Sequence, residues 1–435
     1  MKKEKFIILN SGKCAWGKCV FCGWGKLEFP VDVERLKKQF DREIKKAEGV
    51  ETLKIFGSGS FLDDKQFPRE FRKYVVEKCK EKGIKHLIVE SRPEFITDET
   101  LRDFKGIKLT VAIGLEVADD EILKKINKGF TTKDYVKAVE ILRKHGFGVR
   151  TYLLVGLPFV KNQQKTLDKS VRFALKYSDS VVLINLFPHS KAPLFDMWIQ
   201  GEWRPLDEKQ FNKLVAKWKK NKKIETDFNN FAFIPRFPRN RQEFIRGATI
   251  EALTHPHFEV WQDYFCRFFK VSPEKKYALF VLCAYRKPYT KSKSWRAMLQ
   301  VLSKFKDFKK IHILTISSPG VIPYEFIRYY PFTSYDWPEW EETEEVKKAY
   351  LKVTQKRIEN YLKAHKKDYK KFFAYLPPES LSFKALQRAC KKLKIKLINC
   401  FPKEVYEKVK DRRPAVATEE ALESLEKTLK KNGVE

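Results

Sequence analysis

The stretch KCAWGKCVFCGWGK, Lys13 to Lys26, sets three cysteines within nine residues of a chain that uses only 8 cysteines in 435 residues. Their arrangement is Cys14-x4-Cys19-x2-Cys22, interleaved with aromatics. Thiolates are soft ligands suited to zinc or iron–sulfur clusters. A closed zinc knuckle needs a fourth ligand, and the nearest histidine, His86, lies far downstream in an apparent strand. A [4Fe–4S] cluster takes four thiolates, so three leave one iron open to a small molecule. The spacing reads as a cluster with one coordination position kept open; a zinc-stabilised, basic RNA-binding protein is the non-enzymatic alternative.

From Phe6 to about Pro188, apolar runs alternate with charge-rich amphipathic segments. The strand candidates are FIILN, TLKIFG, HLIVES, LTVAIGLE, VRTYLLVG and VVLINLFP, with helical segments such as TKDYVKAVEILRKHG between them. Residues bearing chemistry follow the strands directly, which predicts a parallel sheet with its site at the strand C-termini: α/β, a partial (β/α)6 TIM-like barrel over 1–205, with a doubly wound sheet the alternative that the pattern alone leaves open. Residues 206–272 read as a helical extension with basic and aromatic loops, and 273–435 as a smaller α/β domain with a mainly parallel sheet. Its strand candidates are YALFVLCAY, KKIHILTISS, KKFFAYLP and KLKIKLINC, with a long helix from about Glu344 to His365.

Lys plus Arg number 89 against 56 Asp plus Glu, a formal net charge of +33. Heat adaptation enriches charges of both signs but does not explain the imbalance, so a polyanionic partner, nucleic acid rather than membrane, is expected. The opening MKKEKFIILN has too short an apolar run for a signal-peptide core. The other cysteines, Cys79, Cys266, Cys283, Cys390 and Cys400, lack metal-site spacing, so a reducing cytoplasm is the expected location.

The triplet, with Phe21 before its last cysteine and Gly23 after it, resembles the radical S-adenosylmethionine (SAM) superfamily. The usual spacing there is C-x3-C-x2-C; here one residue is extra. The resemblance implies a [4Fe–4S] cluster on Cys14, Cys19 and Cys22, with SAM on the open iron. It also implies cofactor contacts from Phe21, from Gly57, Ser58, Gly59 and Ser60 in FGSGSFLDD, from Glu90 in ESRPEFITDETL, from Glu116 toward ribose hydroxyls, and from Arg150 and Gly156 in VRTYLLVGLP.

Within the superfamily, LFPHSKAPLFDMWIQGEWRPL together with GSGSFLD and INKGFT resembles the radical subunit of the archaeosine synthases. That implies a tRNA substrate carrying a lysine adduct on a 7-deazaguanine of the D-loop. A 5′-deoxyadenosyl radical would cleave its C–N bond, making the protein a carbon–nitrogen lyase. An electron donor and a complex with the lysine-transferring archaeosine synthase are implied partners. An Elongator-like or other radical SAM tRNA modification is the alternative within the class. His189 and Lys191 are candidates for the lysine carboxylate, and Arg236 and Arg239 in PRFPRNRQ for an exposed base. In the second domain, LCAYRKPYTKSKSW resembles the core of the lysine-transferring enzyme. Cys283, Lys287, Pro288, Tyr289 and Ser292 match its motif, whereas Trp295 stands where that motif has a histidine. Tryptophan cannot relay a proton, so a docking role is expected there, with Cys283 a buried strand cysteine.

Overall fold

The computed structural model describes residues 4–45, 47, 49–228 and 234–435. The chain divides into two compact units, residues 1–198 with 202–231, and residues 199–201 with 232–435.

The first unit is built on seven parallel strands in sequential order: β1 (Glu4–Ile8), β2 (Thr52–Phe56), β3 (His86–Glu90), β4 (Lys108–Glu116), β5 (Gly148–Val155), β6 (Ser180–Asn185) and β7 (Ile224–Asp227). The sheet is a curled, open half-barrel whose order runs from β1 to β7. Burial explains why the strands read as near-continuous apolar runs: Leu87, Ile88 and Val89 in β3, and Leu109, Val111, Ile113 and Leu115 in β4, are all buried, as expected of a parallel sheet covered on both faces. The crossover helices start where side chains satisfy orphan backbone donors. Asp32 caps Val33–Ile44, Thr131 and Asp134 form a reciprocal capping box on Thr132–Lys144, and Asn162 caps Gln163–Tyr177. Each such cap contributes about 1 kcal/mol.

The six strands expected from the sequence are present, and β7 extends the sheet inside the stretch read as helical. β7 is four residues long, IETD, and three of them are exposed, so it carries no apolar run that could mark it. Of residues 206–272, residues 229–233 lie outside those described.

The second unit carries a five-stranded sheet in the order β10-β9-β8-β11-β12, comprising β8 (Tyr277–Leu282), β9 (Ile311–Ser317), β10 (Gly320–Pro323), β11 (Lys371–Tyr375) and β12 (Leu397–Asn399). All neighbours are parallel except β9 and β10. β10 returns from β9 through the two residues Ser318 and Pro319. The long helix spans Glu344–His365.

Candidate active site

The cysteine loop follows β1 and is fastened to the loops after β4 and β6. The Val20 N–H donates to Ile126 O (2.9 Å), the Trp16 indole N–H to Asn127 O (2.7 Å), and the Leu194 N–H to Val20 O (2.9 Å). Two glycines let this loop pack tightly. A Cβ on Gly25 would lie 3.2 Å from Cys14 Cβ, and the Gly25 N–H donates to Cys22 Sγ at 3.3 Å. Gly129 has φ +79°, and a Cβ there would lie 2.4 Å from the Trp16 ring. Gly129→Ala is therefore expected to cost about 1–3 kcal/mol from the backbone alone and to push Trp16 off the loop. Urea denaturation, together with iron bound per chain after anaerobic reconstitution, would measure both effects, and a variant unchanged in each would count against this packing.

Around the loop stands a charged shell from the ends of β3 and β4. Glu116 occupies a bulge in the β4–β5 pairing with φ +69°, and its carboxylate accepts a 2.6 Å hydrogen bond from Lys128 Nζ. Both side chains are buried. Burial acts to lower the Lys128 ammonium, but Glu116 and Cys19 outweigh it and hold it above the usual lysine range. Lys128 Nζ lies 5.6 Å from the Phe21 ring centroid and 5.3 Å from that of Phe130. Arg92 sits over Trp16 and Phe130, donates to Lys128 O (3.1 Å) and pairs with Glu94.

Glu90, the last residue of β3, accepts the Gly57 N–H at 3.2 Å and is also hydrogen-bonded to Tyr152. Burial pushes its carboxyl up to about 7, against the stabilising Gly57 and Tyr152 contacts. Between its ordinary value near 4.5 and 7, the folded protein holds a proton that the unfolded chain has released. Cofactor-free protein should therefore lose stability relative to Glu90→Gln as pH rises through that window. Parallel thermal melts from pH 4 to 8 would read this, and superimposable slopes would contradict it.

The structure distributes the remaining sequence candidates as follows. The turn Gly57–Ser60 is organised by buried Gln66, whose side chain accepts the Ser60 N–H (2.8 Å) and donates to Ser58 O (2.6 Å). Gly59, at φ +121°, passes over the Gln66 amide so closely that a Cβ would lie 2.3 Å from it. Those backbone groups and the Gly57 N–H are thus engaged within the protein. Arg150 makes a two-pronged pair with Glu225 of β7 (2.7 and 2.6 Å). Gly156 O accepts the Trp203 indole N–H at 2.8 Å, and Gly156 packs against Leu206. His189 comes to the cysteine loop: a Cβ on Gly23 would lie 1.8 Å from its Nδ1, its ring is 5.2 Å from that of Trp24, and its Nδ1 accepts the Lys191 N–H at 3.1 Å. Burial, with Lys191 nearby, holds this imidazole below its ordinary range. Arg236 and Arg239 are exposed and belong to the second unit. Lys128, Gln66, Tyr152 and Glu225 were not among the sequence candidates. Lys128 has a local signal, standing directly before Gly129 in INKGF; the others are positioned only by long-range pairing.

The donor set fits an iron–sulfur cluster better than a single ion. The Cys22 charge acts to raise the Cys19 thiol, and the Cys14 charge acts to raise that of Cys22. Yet the grouping of three ligand atoms within 4.8 Å of one another found among the described residues is Glu243, His255 and His257, not the triplet. Sulfur ligands at about 2.3 Å from one tetrahedral zinc would stand about 3.8 Å apart; the corners of a cluster hold them wider. At the end of β6, the buried Asn185 Oδ1 has no hydrogen-bond partner among the described residues, as at a surface facing a polar ligand.

A second site lies in the second unit, a cavity of about 690 Å³ whose lining includes Cys283, Lys287, Ser317, Tyr335 and Glu339. Lys287 Nζ is 3.8 Å from the Tyr335 ring centroid, and Tyr335 Oη is bonded to Tyr289 Oη (2.8 Å) and Ser317 Oγ (2.6 Å). Cys283, expected as a buried strand cysteine, stands just past β8 in this cavity wall. Trp295 is buried, its indole donating to Leu282 O (3.1 Å) and its ring 5.5 Å from that of Tyr289.

Residues 10–169 match the family model of the radical SAM superfamily, and the cofactors that go with this match are a [4Fe–4S] cluster and S-adenosylmethionine. Residues 260–429 match a family described as a domain of unknown function, DUF5591. Among individual proteins, the chain is 33% identical over 219 residues to archaeosine synthase subunit beta of Methanosarcina acetivorans, covering 47% of this chain and 63% of that protein. It is 34% identical over 177 residues to archaeosine synthase subunit beta of Thermococcus kodakarensis, covering 39% and 54%. It is 29% identical over 147 residues to archaeosine synthase subunit alpha of Thermoplasma acidophilum, covering 33% and 26%. The chain thus spans less than two thirds of the length of each of these relatives.

Among the described residues, no helix is long and apolar enough to cross a membrane.

Proposed function

We propose that this protein is the radical enzyme of archaeosine formation, a carbon–nitrogen lyase that acts on a lysine-adducted 7-deazaguanine in tRNA. The observation that carries the reading is the cysteine loop, with the Lys128–Glu116 pair and His189 beside it, in a chain whose relatives include two archaeosine synthase beta subunits. Cys14, Cys19 and Cys22 would hold the cluster; with SAM, that group supplies a carbon-centred oxidant able to take hydrogen from an unactivated carbon. The protein's own residues bind, orient and shield. Glu116 stands ready for ribose hydroxyls with Lys128 balancing its charge, Glu90 closes the β3 side, and the apolar faces of Phe21 and Phe130 keep water from the centre. His189 and Lys191, exposed enough to meet a substrate at the rim, are assigned to the carboxylate end of the lysine.

The partners follow from charge. A formal net charge of +33 suits a polyanion the size of tRNA, with affinity falling steeply as salt rises. An electron donor and the lysine-transferring synthase complete the proposed set, and the DUF5591 domain is proposed as the part that docks tRNA or that partner.

Anaerobic incubation with SAM, a reductant and lysine-adducted tRNA, read by nucleoside mass spectrometry, should give archaeosine together with 5′-deoxyadenosine. Formation of 5′-deoxyadenosine without archaeosine would retain the cofactors and overturn the substrate.

A further inference from the structure

The second unit holds a cluster of metal-ligating side chains that neither the cysteine loop nor the cavity uses. The sequence Thr254-His255-Pro256-His257 opens the helix Pro256–Arg267. Its geometry turns both imidazoles toward one carboxylate. The His257 N–H donates to His255 Nδ1 at 3.2 Å, which caps the helix and leaves His255 Nε2 facing Glu243 Oε1 at 3.2 Å. His257 Nδ1 lies 3.8 Å from the same oxygen and is hydrogen-bonded to Tyr330 Oη at 2.7 Å. All three ligand atoms fall within 4.8 Å of one another. Nitrogen and oxygen ligands at about 2.0–2.2 Å from a tetrahedral ion stand about 3.3–3.5 Å apart. Two of the separations are therefore near ligation distance before any ion binds.

An ordinary histidine–glutamate ion pair would raise the imidazoles. Here burial outweighs Glu243 at His255, and burial together with the neighbouring His255 pushes His257 down to about 4. The surroundings are built as well. Phe237 packs its ring 4.6 Å from His257 and 5.2 Å from Tyr330, and the Glu243 N–H donates to Tyr330 Oη at 3.2 Å. Two imidazoles, one carboxylate and a phenol are hard-to-borderline donors, suited to zinc or another first-row divalent ion and chemically unlike the three thiolates.

We infer that Glu243, His255 and His257 bind a divalent transition-metal ion, with Tyr330 Oη or a water as the fourth ligand. The ion would replace the hydrogen bond between His257 Nδ1 and Tyr330. It would also tie the loop bearing Arg236, Arg239 and Arg241 to the start of the helix, so that a site distinct from the cluster fixes the loop whose Arg236 and Arg239 are the sequence candidates for an exposed tRNA base. The ligand set stands independently of that reading; only the consequence for tRNA rests on it.

The test uses the full chain with Cys14, Cys19 and Cys22 replaced by alanine, stripped with a chelator and titrated with Co(II) alone. About one equivalent should bind, with visible bands of nitrogen and oxygen ligation and no thiolate charge-transfer band, and the thermal midpoint should rise. Glu243→Gln, an exposed position expected to leave the fold intact, and His255→Ala should each weaken binding about tenfold or more and abolish the thermal shift. Cobalt bound equally well by both variants, bound with thiolate bands, or not bound at all would overturn the site. Bound cobalt with unchanged tRNA affinity would retain the metal site and remove only its role in the basic loop.

Discussion

Alanine at any one of Cys14, Cys19 or Cys22 is expected to abolish 5′-deoxyadenosine formation while leaving the fold in place. On the proposed ligand set, three thiolates hold the cluster with one position open, so losing one would leave only two protein ligands and no route to keep the metal. The cost to the fold should be small, about 1 kcal/mol or less for Cys14 and Cys22, because both are partly exposed and surface substitutions rarely cost more. Cys19 is buried, and alanine there leaves a small void. Iron content, the visible spectrum after anaerobic reconstitution and far-UV circular dichroism, taken on the same samples, separate loss of the cluster from loss of the fold. Wild-type levels of 5′-deoxyadenosine from any of the three variants would refute the ligand assignment.

Lys128→Met should be the most damaging single change near the site that touches no ligand. Lys128 and Glu116 are both buried and 2.6 Å apart. Removing the ammonium leaves a buried carboxylate without its cation, on a residue already held at φ +69°. Breaking a buried pair this way costs about 3–5 kcal/mol. The double variant Lys128→Met with Glu116→Gln should recover most of that, since neither charge then remains; failure to recover would show that the ion pair is not the source of the loss. A second effect falls on the cluster. Burial pushes the Cys19 thiol up to about 11, and Lys128 is the strongest influence pulling it down. Without the lysine the thiolate forms less readily, so iron uptake at neutral pH should slow in the single variant, and less in the double one, where the Glu116 charge that raises Cys19 is gone as well, because metal binding requires the deprotonated sulfur.

The fold was legible wherever burial made the sequence periodic. Leu109–Leu115 announces itself because a strand covered on both faces is apolar at nearly every position. The helix Glu344–His365 is legible by its length. β7 and β10 are not: each has four residues. β7 is exposed at three of them, held by register with β6, and β10 follows β9 after two residues. The site divides in the same way. The cysteines are close in sequence and carry their own pattern. Lys128 answers Glu116 from 12 residues away, and Glu225 reaches Arg150 across 75, so neither partner is visible until the strands are in place. Glu243 and the two histidines share no motif spacing, and only the folded loop brings them together.

Cys14, Cys19 and Cys22 are proposed to hold a cluster whose open iron takes SAM. Electron paramagnetic resonance of the anaerobically reconstituted, dithionite-reduced protein, recorded with and without SAM, tests it most directly. About four irons per chain are expected, with a reduced-cluster signal whose g values move when SAM is added. Zinc in place of iron, or a cluster signal indifferent to SAM, would contradict it.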